Sequence, residues 1–341
     1  DVTNLGLLGY DPNKYYTGRA PLEAASFGVR LEGGDVAFRC NLVTLAQTAK
    51  TLIMDDFSAG HISTEQAREL VEELNEKIEK CEITFYPGIS YRHLMVWRNG
   101  PTDLELTPPH DISGQEVQPN LPKGERAQNL TDIMSDSQLI LSHNRLNIEK
   151  KKRGEKCANS IWLWGHGKAP SLPSFKSLFN IEGSLVAAVD LMKGIGICAG
   201  LHIVDVPGAT GYLDTNFEGK AAYALKELET KDFVYVHVEA PDEAGHNGSV
   251  KEKVKAIEDF DKLVVGKILD GMKAFSEYRI LVVSDHRTPV STKTHSSEDV
   301  PFAIFPSIDV VPGANSFSEK IAETNDMRVE KGFELIELLL Q

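Results

Sequence analysis

Three short motifs in the second half of the chain carry residues that could do chemistry. Asp242 and His246 lie in E-A-P-D-E-A-G-H, directly after a run ending at Val238. Asp285 and His286 lie in S-D-H, directly after a run ending at Val283, and His295 follows in K-T-H-S-S. Carboxylate oxygen together with imidazole nitrogen suits Zn²⁺ or Mn²⁺ better than Ca²⁺ or Mg²⁺ alone. Asp242 and His246 are one helical turn apart, so they can converge on one ion, with His295 as a third ligand. Asp285 and His286 are adjacent, and a sharp loop can aim both at a second ion. Paired metals fit in-line phosphoryl transfer, where the ions activate the nucleophile and neutralise developing charge. Each motif alone could be an ordinary glycine-flanked turn. Their order, with the first two following apolar strands, favours ligands. Two protein ligands are few for a second ion. No hydroxyl nucleophile stands out in these loops, and Ser284 and Ser296 read as structural.

Such motifs need strands that end at one edge, because open α/β sheets bind ligands at the carboxyl ends of their strands. From Cys157 onward the pattern alternates strand and helix. Residues 158–164 form a short apolar run. Residues 184–193 read as a helix closing at Gly194, 201–206 as a strand, 215–230 as a helix and 232–238 as a strand. A long helix is predicted over 250–277, with Val250, Val254, Ile257, Val264, Ile268 and Met272 as its apolar stripe. Residues 279–283 (RILVV) read as a strand buried on both faces of a parallel sheet. Residues 300–305 suggest another strand and 331–340 a closing helix. The alternation predicts a doubly wound α/β domain.

The first half is less regular. Ser63-Thr64-Glu65-Gln66 is a capping box opening a helix to Lys80. Strand-like runs at 35–43, 81–86 and 92–97 flank it, which suggests a second, smaller α+β domain. The basic run 150–156 reads as a solvated surface segment.

The whole-chain numbers agree. A length of 341 residues suits about two domains. Asp and Glu number 50 against 36 Lys and Arg, a formal charge of −14, which argues against nucleic-acid binding. An anionic small molecule is still compatible, because arginines can cluster locally. The longest apolar candidate, residues 185–204, is broken by Asp190, Lys193 and glycines, so no membrane span is expected. Cys40, Cys81, Cys157 and Cys198 match no zinc-knuckle spacing and read as reduced thiols of a cytoplasmic protein.

Longer motifs carry a family resemblance. They are LGYDPNKYYTGRAPLEAAS, DVAFRCNLVT, FYPGISYRHLMVW, HDISGQ, ANSIWLWGHGKAPSLPSF, VDLMKGIGICAGL and VPGATGYLDTNFEGKA, together with the three ligand loops. Over nearly its whole length the chain resembles the archaeal-type 2,3-bisphosphoglycerate-independent phosphoglycerate mutases of the alkaline phosphatase superfamily, some of which are labelled homoserine kinase-like. The resemblance implies an α/β fold: an alkaline phosphatase-like, doubly wound, mostly parallel sheet domain over residues 1–19 and 156–341. A smaller α+β substrate-clamping domain, closing over the metals, would be inserted at 20–155. It also implies interconversion of 3- and 2-phosphoglycerate through a phosphoserine, with two divalent metal ions (Mn²⁺, Zn²⁺ or Mg²⁺) and no bisphosphoglycerate. Asp242, His246 and His295 resemble one metal site, and Asp285 with His286 the protein share of the other. The family's nucleophilic serine and one further ligand match nothing in this sequence and are expected ahead of Asp1. Arg287 stands where the family usually has a small residue, and the stretch 305–312 is compact beside the family pattern.

A phosphoglycerate needs cationic partners, and arginine matches phosphate and carboxylate bidentately. Arg19, Arg39, Arg92 and Arg98 are the substrate-binding candidates, with His93, His110 and Lys168 weaker ones. Arg92 and Arg98 would share one face of an extended strand. For each arginine an ordinary ion pair is the competing reading, and for His110 a turn. The alternatives for the whole chain are a related metal-dependent phosphatase or other phosphomutase, or a non-catalytic relative if it truly starts at Asp1. Oligomeric state is left open.

Overall fold

The computed structural model of the chain describes residues 2–310 and 313–341; Asp1 lies outside them, as do Val311 and Pro312 at the end of the compact stretch 305–312. The chain divides into two compact units, Asp1–Tyr16 with Ser171–Gln341 and Thr17–Pro170. The first unit is therefore interrupted by the second. It begins with helix α1 (Val2–Leu7).

The second unit runs α2 (Arg19–Ser26), β1 (Val36–Gln47), β2 (Leu52–Asp56), α3 (Thr64–Lys77), β3 (Ile83–Tyr86), β4 (Arg92–Trp97), α4 (Ala127–His143) and β5 (Ser160–Gly167). Its sheet is antiparallel and organised on β1, which pairs with β2, β4 and β5, while β3 pairs with β4. Alternation along the strands sorts the side chains to two faces. Phe38, Cys40, Leu42, Met95 and Trp97 share a core with Leu70 and Leu74 of α3 and Leu130 and Ile133 of α4. Ala37, Leu94 and Val96 point the other way and meet Ala20 and Ala24 of α2. Helix α3 opens as the capping box predicts, Ser63 Oγ accepting from the Gln66 N–H at 3.3 Å, and ends at Lys77 rather than residue 80. The run at 158–164 does not open the α/β region. It becomes β5 and pairs with β1, Trp164 opposite Arg39 and Trp162 opposite Asn41. That ladder carries this unit to Pro170, past the expected end at 155.

The first unit resumes with β6 (Gly183–Val186), α5 (Asp190–Cys198), β7 (His202–Val204), α6 (Phe217–Glu227), β8 (Phe233–Val236) and α7 (Ala240–His246). There follow α8 (Val250–Asp259), a π-turn (Phe260–Val265), α9 (Gly266–Met272), β9 (Arg279–Val283), β10 (Phe302–Pro306) and α10 (Leu335–Leu340). Strands β8, β6 and β7 form a parallel sheet in that order. Three expectations change. Residues 184–193 are not one helix: 183–186 form the central strand, fully buried, and the helix starts at Asp190. A strand buried on both faces has no alternation, so its apolar run looks like a buried helix. Gly194 does not stop α5, which continues to Cys198. The helix packs tightly on the sheet, and a Cβ at Gly196 would lie 2.7 Å from Ile203 Cδ1.

The RILVV run does form β9, but it pairs antiparallel with β10, and all five residues are half-buried. After the loop bearing His295 the chain turns back and lies along β9 in the opposite direction. The sheet structure is thus mixed. The long helix ends at Met272 and contains the π-turn. Val250, Val254 and Ile257 are exposed, whereas Ala256 and Val264 are buried with Phe260, Leu263 and Ile268 packed on them. The wider turn rotates the buried face, so one regular stripe cannot describe both halves.

Candidate functional site

Helix α7 follows β8 after a three-residue link and carries Asp242 in its first turn and His246 in its last. Helical spacing brings them together, with His246 Nε2 3.2 Å from Asp242 Oδ2. The loop after β9 delivers the rest. His295 Nε2 lies 3.4 Å from Asp242 Oδ1 and 3.1 Å from His246 Nε2. His286 stacks on His295 with ring centroids 3.8 Å apart, its Nδ1 3.9 Å from Asp242 Oδ1 and its Nε2 3.4 Å from Asp285 Oδ2. All five predicted ligands thus form one continuous cluster, with Asp242 at its centre. Ligand atoms of Asp242, His286 and His295 lie within 4.8 Å of one another, a carboxylate and imidazole donor set that suits a divalent cation.

Local structure prepares these groups. His246 Nδ1 donates to the Lys293 carbonyl at 3.0 Å, which leaves the Nε2 lone pair facing the cluster. Thr288, 3% exposed, donates its hydroxyl to Asp242 Oδ1. Lys253 Nζ holds the Thr288 carbonyl at 2.6 Å. Position 245 must be glycine, because a Cβ there would collide with that carbonyl. Burial pushes the Asp242 carboxyl up, but hydrogen bonds from His295 and Thr288 and the histidine charges outweigh it and hold the pKa at about 2. Burial lowers His286, while the Asp242 hydrogen bond raises His295. Arg287 is engaged within the loop, its Nε donating to the Asp299 carbonyl at 2.8 Å and its backbone bridging to Ser296.

Sequence reading missed several neighbours. His237, just past β8, is held near pKa 4 chiefly by burial and lies within the fields of Asp285, Lys220 and Asp242. Lys220 on α6 is fully buried and donates to the His237 carbonyl at 3.1 Å; burial lowers it to about 8 against the pull of Glu239. Asn4 donates to Asp285 from α1. Only Thr288 had a sequence signal, its place in the motif loop.

The second unit gathers some of the predicted cations. Arg39, 3% exposed on β1, places Nη1 2.5 Å from Glu23 Oε1, which also accepts from Arg19 Nε at 2.9 Å. The Arg39 guanidinium lies 4.9 Å over the Trp164 ring, and Arg19 lies 5.9 Å from it. Arg39 Nε is buried with no hydrogen-bond partner among the described residues. Burial lowers Arg39 to about 10 despite Glu23, and the charges of Arg19 and Arg92 add to that lowering. Arg92 is exposed on the same sheet face, opposite Asn41 and 5.5 Å from the Tyr91 ring. His110 packs edge-on against Trp164 at 5.4 Å. Glu23, the carboxylate at the centre, was not foreseen. Arg98 is not gathered: it lies exposed in the turn after β4, about 20 Å along the strand from Arg92. Lys168 is exposed, and its backbone carbonyl accepts from the Thr17 hydroxyl.

A carboxylate–imidazole cluster at strand ends, on a mixed α/β unit, fits the alkaline phosphatase superfamily, and two family matches place the chain there. Residues 190–296 match the family described as type I phosphodiesterase / nucleotide pyrophosphatase. Residues 1–147 match 2,3-bisphosphoglycerate-independent phosphoglycerate mutase. A Geobacter sulfurreducens protein described as a probable 2,3-bisphosphoglycerate-independent phosphoglycerate mutase is 53% identical over all of this chain and 86% of its own length. A Methanosarcina barkeri protein named 2,3-bisphosphoglycerate-independent phosphoglycerate mutase is 47% identical over all of this chain and 85% of its own. A solved Pyrococcus horikoshii structure superposes with a TM-score of 0.81 at 25% identity, covering 100% of this chain and 82% of that one. The chain belongs to the 2,3-bisphosphoglycerate-independent phosphoglycerate mutase family.

Proposed function

We propose that the protein interconverts 3-phosphoglycerate and 2-phosphoglycerate through a phosphoserine intermediate, in glycolysis and gluconeogenesis, without bisphosphoglycerate. The observation that carries this reading is the convergence of Asp242, His246, Asp285, His286 and His295 in one cluster, in a chain of this family. These five residues would hold two divalent ions, Mn²⁺, Zn²⁺ or Mg²⁺. Bound there, the ions supply Lewis-acid stabilisation of the transferring phosphoryl group. The chain's own residues set the conditions. Asp242 stays ionised at any working pH, and His246 is held in the tautomer that presents Nε2.

The substrate's negative charge has a separate counterpart. Arg19, Arg39 and Arg92 surround one carboxylate, Glu23, so the cluster keeps a cationic excess. The partnerless Arg39 Nε is a buried donor that an anionic oxygen would satisfy. His110 and Trp164 give that face an aromatic wall. Four unpaired cysteines suit a reducing compartment, which supports a cytoplasmic enzyme. No helix among the described residues is long and apolar enough to cross a membrane.

The test is a coupled assay. Purified protein with Mn²⁺ and 3-phosphoglycerate should feed enolase with 2-phosphoglycerate, read as phosphoenolpyruvate absorbance. Steady release of inorganic phosphate with no enolase signal would defeat the mutase reading and mark a phosphatase.

A further inference from the structure

Asp285 ends a part-buried hydrogen-bonded chain that begins on a different strand. Its Oδ1 accepts the His286 backbone N–H at 2.9 Å, and its Oδ2 accepts Asn4 Nδ2 at 2.8 Å. The other end of the Asn4 amide, Oδ1, accepts the Tyr235 hydroxyl at 2.7 Å. Asn4 is only 4% exposed. The direction of this chain is fixed by chemistry. An ionised carboxylate only accepts, so the amide must face it with nitrogen, and the phenol must then donate to the amide oxygen. Burial, with the charge of Asp285 second, pushes the Tyr235 phenol up, so it keeps its proton and remains a donor. A flipped Asn4 would set a carbonyl against the carboxylate and take away the acceptor of the Tyr235 proton, so Asp285 opposes the flip first and Tyr235 adds to it.

We propose that Asn4 and Tyr235 are positioning residues for Asp285, locking its carboxylate in the direction in which it meets a divalent cation. The proposal rests on the reading of Asp285 as a metal ligand. Partners behind a ligand orient it and raise affinity, and ordering done during folding need not be repeated on binding.

Calorimetric titration with Mn²⁺, on protein stripped by chelator, tests it. Asp285→Asn should lose one Mn²⁺ equivalent. Tyr235→Phe should weaken that same equivalent about tenfold, and Asn4→Leu about 10- to 100-fold. Because Tyr235 acts through Asn4, the double variant should bind no worse than Asn4→Leu alone. Tyr235→Phe removes one oxygen and keeps the ring, so it decides the matter even if Asn4→Leu fails to fold. An unchanged Mn²⁺ dissociation constant in Tyr235→Phe, or additive losses in the double variant, would overturn the proposal and leave the ligand reading standing. Both equivalents retained in Asp285→Asn would refute the ligand reading, and the proposal with it.

Discussion

In the first unit, five candidate ligand groups come from one short helix and one loop at strand ends, and they converge on Asp242. In the second unit, the charged groups stand on a rigid antiparallel sheet and the helix laid across it, and three cations share one carboxylate. The first cluster offers carboxylate and imidazole groups suited to a cation. The second has a buried donor, Arg39 Nε, with no acceptor among the described residues. The two clusters thus offer opposite chemistry, which is the contrast that the proposed metal and anion sites call for. They also differ in rigidity. The ligand loops depend on local bonds such as His246 to Lys293 and Thr288 to Asp242, whereas Arg39 is fixed by strand neighbours on both sides.

The largest test of this contrast lies in the ligands. Asp285→Ala and His246→Ala should each cut mutase activity by more than the roughly 100-fold that loss of an outer partner costs, with the circular dichroism spectrum retained. Near-normal turnover in either would remove it from the cluster's chemistry. The arginines come next. Arg39→Lys keeps the charge but loses the planar fork and the stacking on Trp164, so kcat/KM should fall about 10- to 100-fold, one charge-assisted hydrogen bond's worth. Arg98→Ala should stay within about twofold, because it lies far along β4 from the others. Equal losses at both positions would erase the distinction between gathered and ungathered arginines.

A further effect concerns stability. His93 is 1% exposed in the second unit's core, and burial lowers it to about 3. Its ordinary value is near 6.5, so the unfolded chain binds the proton more readily between those limits. Stability is therefore full above pH 6.5 and declines as pH falls toward 3, by about 1.4 kcal/mol per pH unit. Urea melts between pH 7 and 5 should show this slope added to that of His237, which is lowered in the same way, and His93→Gln should reduce it by the His93 share. An unaltered slope would mean that His93 is not the titrating group.

The ligand cluster was legible because Asp242, His246, Asp285, His286 and His295 are close in sequence and follow strands whose apolar runs can be read. Residues that act from elsewhere were not. Asn4, Tyr235 and Lys220 look like ordinary residues of a helix, a strand and a helix until the fold sets them beside Asp285 and His237. Glu23 gave no sign of its role, since helix α2 crosses the sheet face only in three dimensions. Arg92 and Arg98 were expected on one face by parity, but Arg98 lies in the turn past the strand's end, and parity says nothing about where a strand stops. The central strand at 183–186 was hidden by its own burial, which erases the alternation that marks a strand.

The link from Asn4 to Tyr235 and Asp285 spans 231 and 281 residues of sequence. At about 5–20 residues per second, a ribosome needs roughly 15–55 s to pass from one end of that link to the other. The inserted unit is complete in the chain well before that interval ends and can fold while synthesis continues. Helix α1 must wait, and the surroundings of Asp285 are among the last parts of the molecule to be assembled.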